Sequence, residues 1–268
     1  MMNDLQKNIT LSLDGEQTEL FNYFPYLMQD LWEIGSSPEQ IIKLMCEHGL
    51  DKPTIRILDL GCGKGSISVR IAKEFGCRVH GIDGMEAFID EARQWAVKYQ
   101  VDHLCRFEAG DIREAVKKLH NYDIAILGSI GPVLGNVRET LEKTGACLKP
   151  DGYIILDDGY FPDGYAANEE DIPPRSVYFS QINQAGFETV AEYIPDDDDM
   201  KSSDAFIYHH IEKRAQELIR EYPQYELLFE NYLKSQREEN ERLENEIICS
   251  LLLLKRNKSL NINYYRYC

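Results

Sequence analysis

The chain has 268 residues, is 43% hydrophobic and carries a formal net charge of -17 at pH 7. That length and composition exclude a disordered polymer and suit one large domain, or one domain with an appendage. So acidic a surface repels phosphate backbones, which argues against a nucleic-acid partner.

Seven cysteines stand at 46, 62, 77, 105, 147, 249 and 268, an odd number with no CxxC pair. They read as reduced core residues of a cytoplasmic protein, with no disulfide framework and no metal site. The opening MMNDLQKNIT lacks the apolar stretch of a signal peptide. The longest apolar run, IICSLLLL at 247–254, falls well short of the roughly 20 residues a membrane span needs. It is expected to be a buried strand, and no membrane partner is expected.

Residues 1–54 read as a helical preface, with Phe21, Tyr23, Phe24, Tyr26 and Trp32 close together. Two readings stand side by side: a helix packed on the body of the domain, or a lid with an aromatic inner face over the strand ends. From residue 55 a strand/helix alternation sets in. Strands are expected at 55–60, 77–83, 103–111, 122–128 and 153–159. The helices between them fall at 66–76, 85–100, from 112 to His120, and about 135–147; KPDG at 149–152 is a turn signal. In the second helix Phe88, Ala92, Trp95, Ala96 and Tyr99 share the inward face. Such alternation implies βαβ units and a parallel sheet covered on both sides.

Beyond 160 the rhythm changes. Residues 161–174 form a polar loop, a helix over 175–186 leads to a sixth strand at 187–194, and PDDDDMKSSD (195–204) reads as an acidic, solvated break, or secondly as a metal site. Two helical stripes follow, Ile207, Ile211, Ala215, Leu218, Tyr222 and then Tyr225, Leu228, Phe229, Tyr232, split at Pro223. KSQREENERLENE reads as a solvated helix face or part of a dimer contact, so monomer and homodimer both stay open. The last strand is expected at 246–254, and the tail SLNINYYRYC is unassigned.

The chemistry centres on RILDLGCGKGS at 56–66. A glycine-rich turn between a strand and a helix lets backbone N–H groups and the helix N-terminus approach a ligand. The dinucleotide pattern GxGxxG would need its third glycine at Ser66; the chain has GxGxG instead, with Gly61, Gly63 and Gly65. Asp83 ends the second strand, where an acid can accept both hydroxyls of a ribose. Asp111 follows the third strand, placed to accept the exocyclic amine of an adenine, with Ile112 against the ring. No basic residue stands ready for a phosphate, so the ligand is an adenosine without pyrophosphate.

Together, ILDLGCGKGSIS, VHGIDGMEAFIDEAR, FEAGDI, YDIAILGSIG and LKPDGYIILDDG, from about Ile55 to Tyr160, resemble the class I S-adenosylmethionine-dependent methyltransferases. The layout beyond Tyr160 and the early GSSPE at 35–39 are more loosely similar to the small-molecule enzymes of bacteria. The resemblance implies an α/β, Rossmann-like seven-stranded sheet of order 3-2-1-4-5-7-6 with strand seven antiparallel. It also implies the cofactor S-adenosyl-L-methionine and methyl transfer to a small-molecule acceptor by in-line displacement. Residues 1–54 become the preface or lid, 55–195 the cofactor-binding core, 196–245 a helical insert covering the substrate site, and 246–268 the last strand and tail.

Carried over by position, Gly61 and Gly63 face the methionine part of the cofactor and Asp59 orients its amino group. Asp83, with Gly84 beside it, holds the ribose, and Asp111 and Ile112 the adenine. Gly128 lies near the sulfonium. Cys62 falls in the same turn, although its type reads as a small packing residue. The candidate general bases are Asp157 and Asp158, of which strand alternation lets only one point into the site, and His209, for which a surface position is the plainer reading. Tyr26, Trp32, Ser129 and Tyr160 are the candidate substrate contacts.

The Asn/Asp-Pro-Pro-aromatic signature of amino-group methylation on adenine or glutamine is missing; the fourth strand ends LGSIGP. Two alternatives remain. One is an NAD-binding oxidoreductase on a similar sheet, and the other a non-catalytic methyltransferase-like protein that binds the cofactor.

Overall fold

The computed structural model describes residues 4–165 and 172–257. Part of the expected polar loop (166–171) and the tail from 259, with Cys268, lie outside the described residues. Seven strands, β1 (Arg56–Leu60), β2 (Arg78–Asp83), β3 (Cys105–Ala109), β4 (Tyr122–Gly128), β5 (Leu148–Tyr160), β6 (Phe187–Tyr193) and β7 (Ile248–Arg256), form one sheet. Its order is β3-β2-β1-β4-β5-β7-β6. β7 runs antiparallel to both of its neighbours, and the other ladders are parallel. Order and direction both agree with the expectation.

The helices are α1 (Asp4–Ser12), α2 (Phe24–Leu27), α3 (Pro38–Glu47), α4 (Ser66–Phe75), α5 (Glu86–Lys98), α6 (Ile112–Ala115), α7 (Val137–Ala146), α8 (Arg175–Gln184), α9 (Asp197–Glu221) and α10 (Glu226–Asn245). α3, α4 and α5 bury one face of the sheet through Ile41, Ile71, Ala92 and Ala96. α6, α7 and α8 bury the other through Ile112, Leu141 and Tyr178. With cover on both sides, Ile57 to Leu60 are all buried, as a central parallel strand requires. Ser37 caps α3 by accepting from the Gln40 amide, with Pro38 at the first helical position, so the SSPE of the preface is a helix start.

A third core lies above the strand ends. There Leu20, Phe24 and Leu27 of the preface pack with Ile211, Leu218, Phe229 and Tyr232 of the insert. Tyr23 meets Phe229 edge-on at 5.1 Å, and Phe24 meets Tyr232 at 5.6 Å. Arg214 clamps Asp30 through two bonds of 2.8 and 2.7 Å. The sequence offered preface and insert as two separate covers. In the fold they are one helical cap, whose shared core also takes in Met85 and Phe88 at the start of α5.

Three expectations need correction. The acidic run is no break: Asp196 accepts from the Asp198 amide, and Asp197, Asp198 and Asp199 form the first turn of α9. Carboxylates at a helix N-terminus face the positive end of its dipole, so local repulsion is offset there. His209 therefore sits midway along α9. The short helix expected to reach His120 stops at Ala115. β5 starts at Leu148 rather than after the KPDG turn; between the pairs Tyr122–Leu148 and Ile124–Tyr153 the register shifts, so Lys149 to Gly152 bulge opposite Asp123.

Phe24 is fully buried in the shared cap core. Phe24→Ala should cost about 3–5 kcal/mol of unfolding free energy in a denaturant titration. A cost near zero would mean that the preface merely rests on the insert.

Candidate active site

The turn after β1 is shaped by backbone conformation. Gly61, Gly63 and Gly65 have φ of +77°, +51° and +74°, in the left-handed region that side chains with a Cβ resist. The turn folds against the end of β2. The Gly61 and Cys62 amides donate to the Ile82 carbonyl at 2.8 and 3.0 Å, and the Gly63 amide donates to Asp83 Oδ2 at 2.9 Å. Asp83 Oδ1 accepts from the Met85 amide at 2.8 Å. Burial raises the Asp83 carboxyl above its usual range, against the two amides, which favour its charge.

Around this turn opens a cleft at the C-terminal ends of β1, β2, β3 and β4, where ligands sit in open α/β sheets. Gly61, Cys62, Gly63, Asp83, Gly84, Asp111, Ile112, Gly128, Ser129 and Trp32 all line it. Thus the structure brings ten of the sequence-derived candidates to one surface.

Five others fall elsewhere. Asp59 is 1% exposed and lies behind the cleft, accepting from Ser68 Oγ at 2.6 Å; burial pushes its carboxyl up to about 7. Tyr160 is 1% exposed, with its hydroxyl on Glu192 at 2.6 Å. Tyr26 donates to Glu217 at 2.8 Å and so ties the preface to α9. Asp158 points to the opposite face of β5, where it accepts from Tyr178 at 3.3 Å and from the Gly159 amide at 2.8 Å. His209 is exposed on α9, outside the cleft.

Asp157 takes the other side of β5. The Ser36 and Ser129 hydroxyls, both on the cleft wall, favour the charged form of its carboxyl, but burial outweighs them and raises it above the usual range. The two hydroxyls lie 3.1 Å apart. Ser129 holds a φ of +52°, a strained conformation for a residue with a Cβ, and such strain collects at functional sites. Strand alternation anticipated that one of the two aspartates would turn toward the site; the hydroxyl pair identifies Asp157 as the one beside it.

Three features were missed in the sequence. Lys64, inside the glycine turn, is 1% exposed and reaches the Met28 carbonyl at 2.7 Å and Glu91 at 2.9 Å; burial lowers its ammonium below the usual value. Arg113 lines the cleft and grips both Asp111 oxygens at 2.8–3.0 Å. Burial acts to raise Asp111, but Arg113 outweighs it and leaves the carboxyl below its usual range. Ser36 lies in the GSSPE segment but was given no role, and only tertiary folding brings it to Ser129. Trp32 donates to the Lys64 carbonyl at 3.0 Å and stacks on Trp95 at 4.2 Å, so it supports the turn from the cap side.

The sheet order and the reversed last strand place the molecule in the class of Rossmann-like methyltransferase folds. Residues 51–223 match the model of the methyltransferase domain, and the chain belongs to that family. The chain is 30% identical over 166 residues to the putative methyltransferase YqeM of Bacillus subtilis, a match covering 58% of this chain and 60% of that protein. It is 22% identical over 178 residues to a glycine/sarcosine/dimethylglycine N-methyltransferase of Actinopolyspora halophila, covering 61% and 32%. The chain thus spans less than two thirds of the length of these curated relatives. A methyltransferase of Geobacter sulfurreducens, solved with S-adenosylhomocysteine, superposes with a TM-score of 0.74 at 18% identity, over 88% of this chain and 98% of that one.

The cleft suits the S-adenosyl-L-methionine that the resemblance in sequence implies. An added Cβ at Gly63 would meet nothing within 4 Å, so backbone faces open cleft there. The side chains around it are carboxylates, hydroxyls, the Asn8 amide and apolar groups, and its two basic residues, Lys64 and Arg113, are both paired to carboxylates.

Burial pushes Asp158 from 3.8 up to about 6. Between those values the unfolded group ionises while the folded one keeps its proton, so this residue removes stability as pH rises through that window. Asp158→Asn should therefore gain melting temperature over the native chain as pH climbs from about 4 to about 7, and little below it. Parallel melting curves across that range would contradict the assignment.

Proposed function

We propose that this domain methylates a small-molecule acceptor, with Asp83 and the glycine turn holding the cofactor and Asp157 taking the acceptor's proton. S-adenosyl-L-methionine supplies a methyl group on a sulfonium, an electrophile that needs no activation by the protein. What falls to the chain is binding, alignment, exclusion of water and disposal of a proton.

Asp83 would accept the ribose hydroxyls, since each of its oxygens spends one interaction on a backbone amide and keeps further acceptor capacity. Gly61 and Gly63 would lie along the methionine arm, and Gly128, beside Ser36, near the sulfur. Asp59, behind the turn, would act on the amino group only through the turn itself or a water.

The observation that carries the acceptor chemistry is the Ser36–Ser129–Asp157 group. Ser129 would take a proton from an acceptor hydroxyl or ammonium as it passes its own to Asp157. A carboxyl made more basic by burial is better suited to that role than a solvated one. The helical cap over the strand ends would limit the acceptor to small molecules, and the acidic surface disfavours nucleic acid.

Two measurements test this. With methyl-labelled cofactor and fractionated cell extract, label should enter the small-molecule fraction; label confined to protein or nucleic acid would overturn the reading. Asp157→Asn should lower kcat by ~10²–10⁴-fold and abolish the rise of activity with pH on the acid side, with affinity for S-adenosylhomocysteine unchanged. Full activity in that variant removes Asp157 from the mechanism.

A further inference from the structure

We propose that α1 supplies one wall of the adenine pocket, with Ile9 and its neighbour Leu5 facing Ile112 across the cleft. The proposal rests on the reading of this cleft as the adenosine site and extends it to a helix outside the sheet.

Gly84 is the first observation. It follows Asp83 and lines the cleft, yet its φ lies outside the left-handed region, so the backbone does not demand glycine there. Space does. A Cβ at residue 84 would lie 2.5 Å from Ile9 Cδ1, 3.1 Å from Ile9 Cγ1 and 3.3 Å from Leu5 Cδ1. The core therefore offers bare backbone where a side chain could have stood, and α1 fills the place from above. On the far side Ile112 is 7% exposed and also lines the cleft. A flat aromatic base gains most between two apolar walls, and only one of the two belongs to the sheet domain.

The second observation is how α1 is fastened. Arg113, which grips Asp111, also donates to Asp4 Oδ2 at 2.8 Å. A chain of charges thus runs from the proposed adenine acid to the first turn of the helix. At the other end Asp14 accepts from Gln236 at 2.7 Å. Along the helix Leu5, Asn8, Ile9 and Ser12 share the cleft-facing side, and Leu13 just past its end lines the cleft too. A nine-residue helix has little stability of its own. Its position is set by these anchors and by what it covers, so ligand binding and α1 docking should be one coupled event.

Calorimetry with 5′-methylthioadenosine and S-adenosylhomocysteine tests this on the full chain. The first ligand has the adenosine and lacks the amino-acid arm. Ile9→Ala should weaken both by the same factor, about tenfold from the apolar groups removed. Gly84→Val should also weaken both, by displacing α1, and adding Ile9→Ala to it should restore affinity by moving the apolar wall onto the core. Ile9 is only half-buried, so an unchanged melting point without ligand verifies the fold. In the unmodified chain, amide hydrogen exchange over residues 4–12 should slow when S-adenosylhomocysteine binds. Unchanged binding of both ligands by Ile9→Ala, a loss confined to S-adenosylhomocysteine, or exchange in α1 indifferent to ligand would each overturn the proposal. Failure of the native chain to bind S-adenosylhomocysteine would instead overturn the reading of the cleft itself.

Discussion

The structure depends on one constraint: the turn after β1 must fold back against the end of β2. Its left-handed glycines let the Gly61, Cys62 and Gly63 amides converge on the Ile82 carbonyl and the Asp83 carboxylate. That convergence starts α4 at Ser66 and sets the floor of the cleft. It also turns Lys64 away from water toward the Met28 carbonyl and Glu91, and presents the Lys64 carbonyl to Trp32. One turn therefore fastens the sheet to the cap. A side chain at Gly65 would meet Ala92 at 2.9 Å and Phe107 at 3.0 Å, so the packing of α5 and β3 enforces the same conformation.

Carboxylates gather at the C-terminal ends of the strands. Asp59, Asp83, Asp157 and Asp158 stand in the last strand turns of β1, β2 and β5, each raised by burial. Each is also hydrogen-bonded, to a hydroxyl, a backbone amide or both, which is how a fold tolerates buried acids. The proposed cofactor carries a sulfonium cation. A site furnished with acids and glycine amides, whose lining Arg113 is paired to Asp111, matches that charge better than it would match a diphosphate.

Most of the sheet was legible because its signals are local. An apolar run such as IRILDL, a glycine at 76 with φ of +67° to end α4, and acids at 83 and 111 mark strand ends without tertiary knowledge. The cleft-lining glycines and acids followed for the same reason. What escaped depends on distant partners. Nothing local marks Arg113, which pairs with Asp4 only once α1 is in place, and Ser36, though part of GSSPE, had no visible role until folding set it 3.1 Å from Ser129. Tyr160 ends β5 and Tyr26 belongs to the aromatic preface, yet their hydroxyls are taken by Glu192 and Glu217. The acidic run before α9 misled because charge density alone does not distinguish a loop from a helix start.

The central claim is that the cleft beside the glycine turn receives an adenosine bearing an amino acid. A crystal structure of the chain with S-adenosylhomocysteine tests it most directly. The account predicts both ribose hydroxyls on the Asp83 carboxylate, the base beside Ile112 and the sulfur near Gly128. A ligand bound elsewhere, or one whose ribose makes no contact with Asp83, would contradict it.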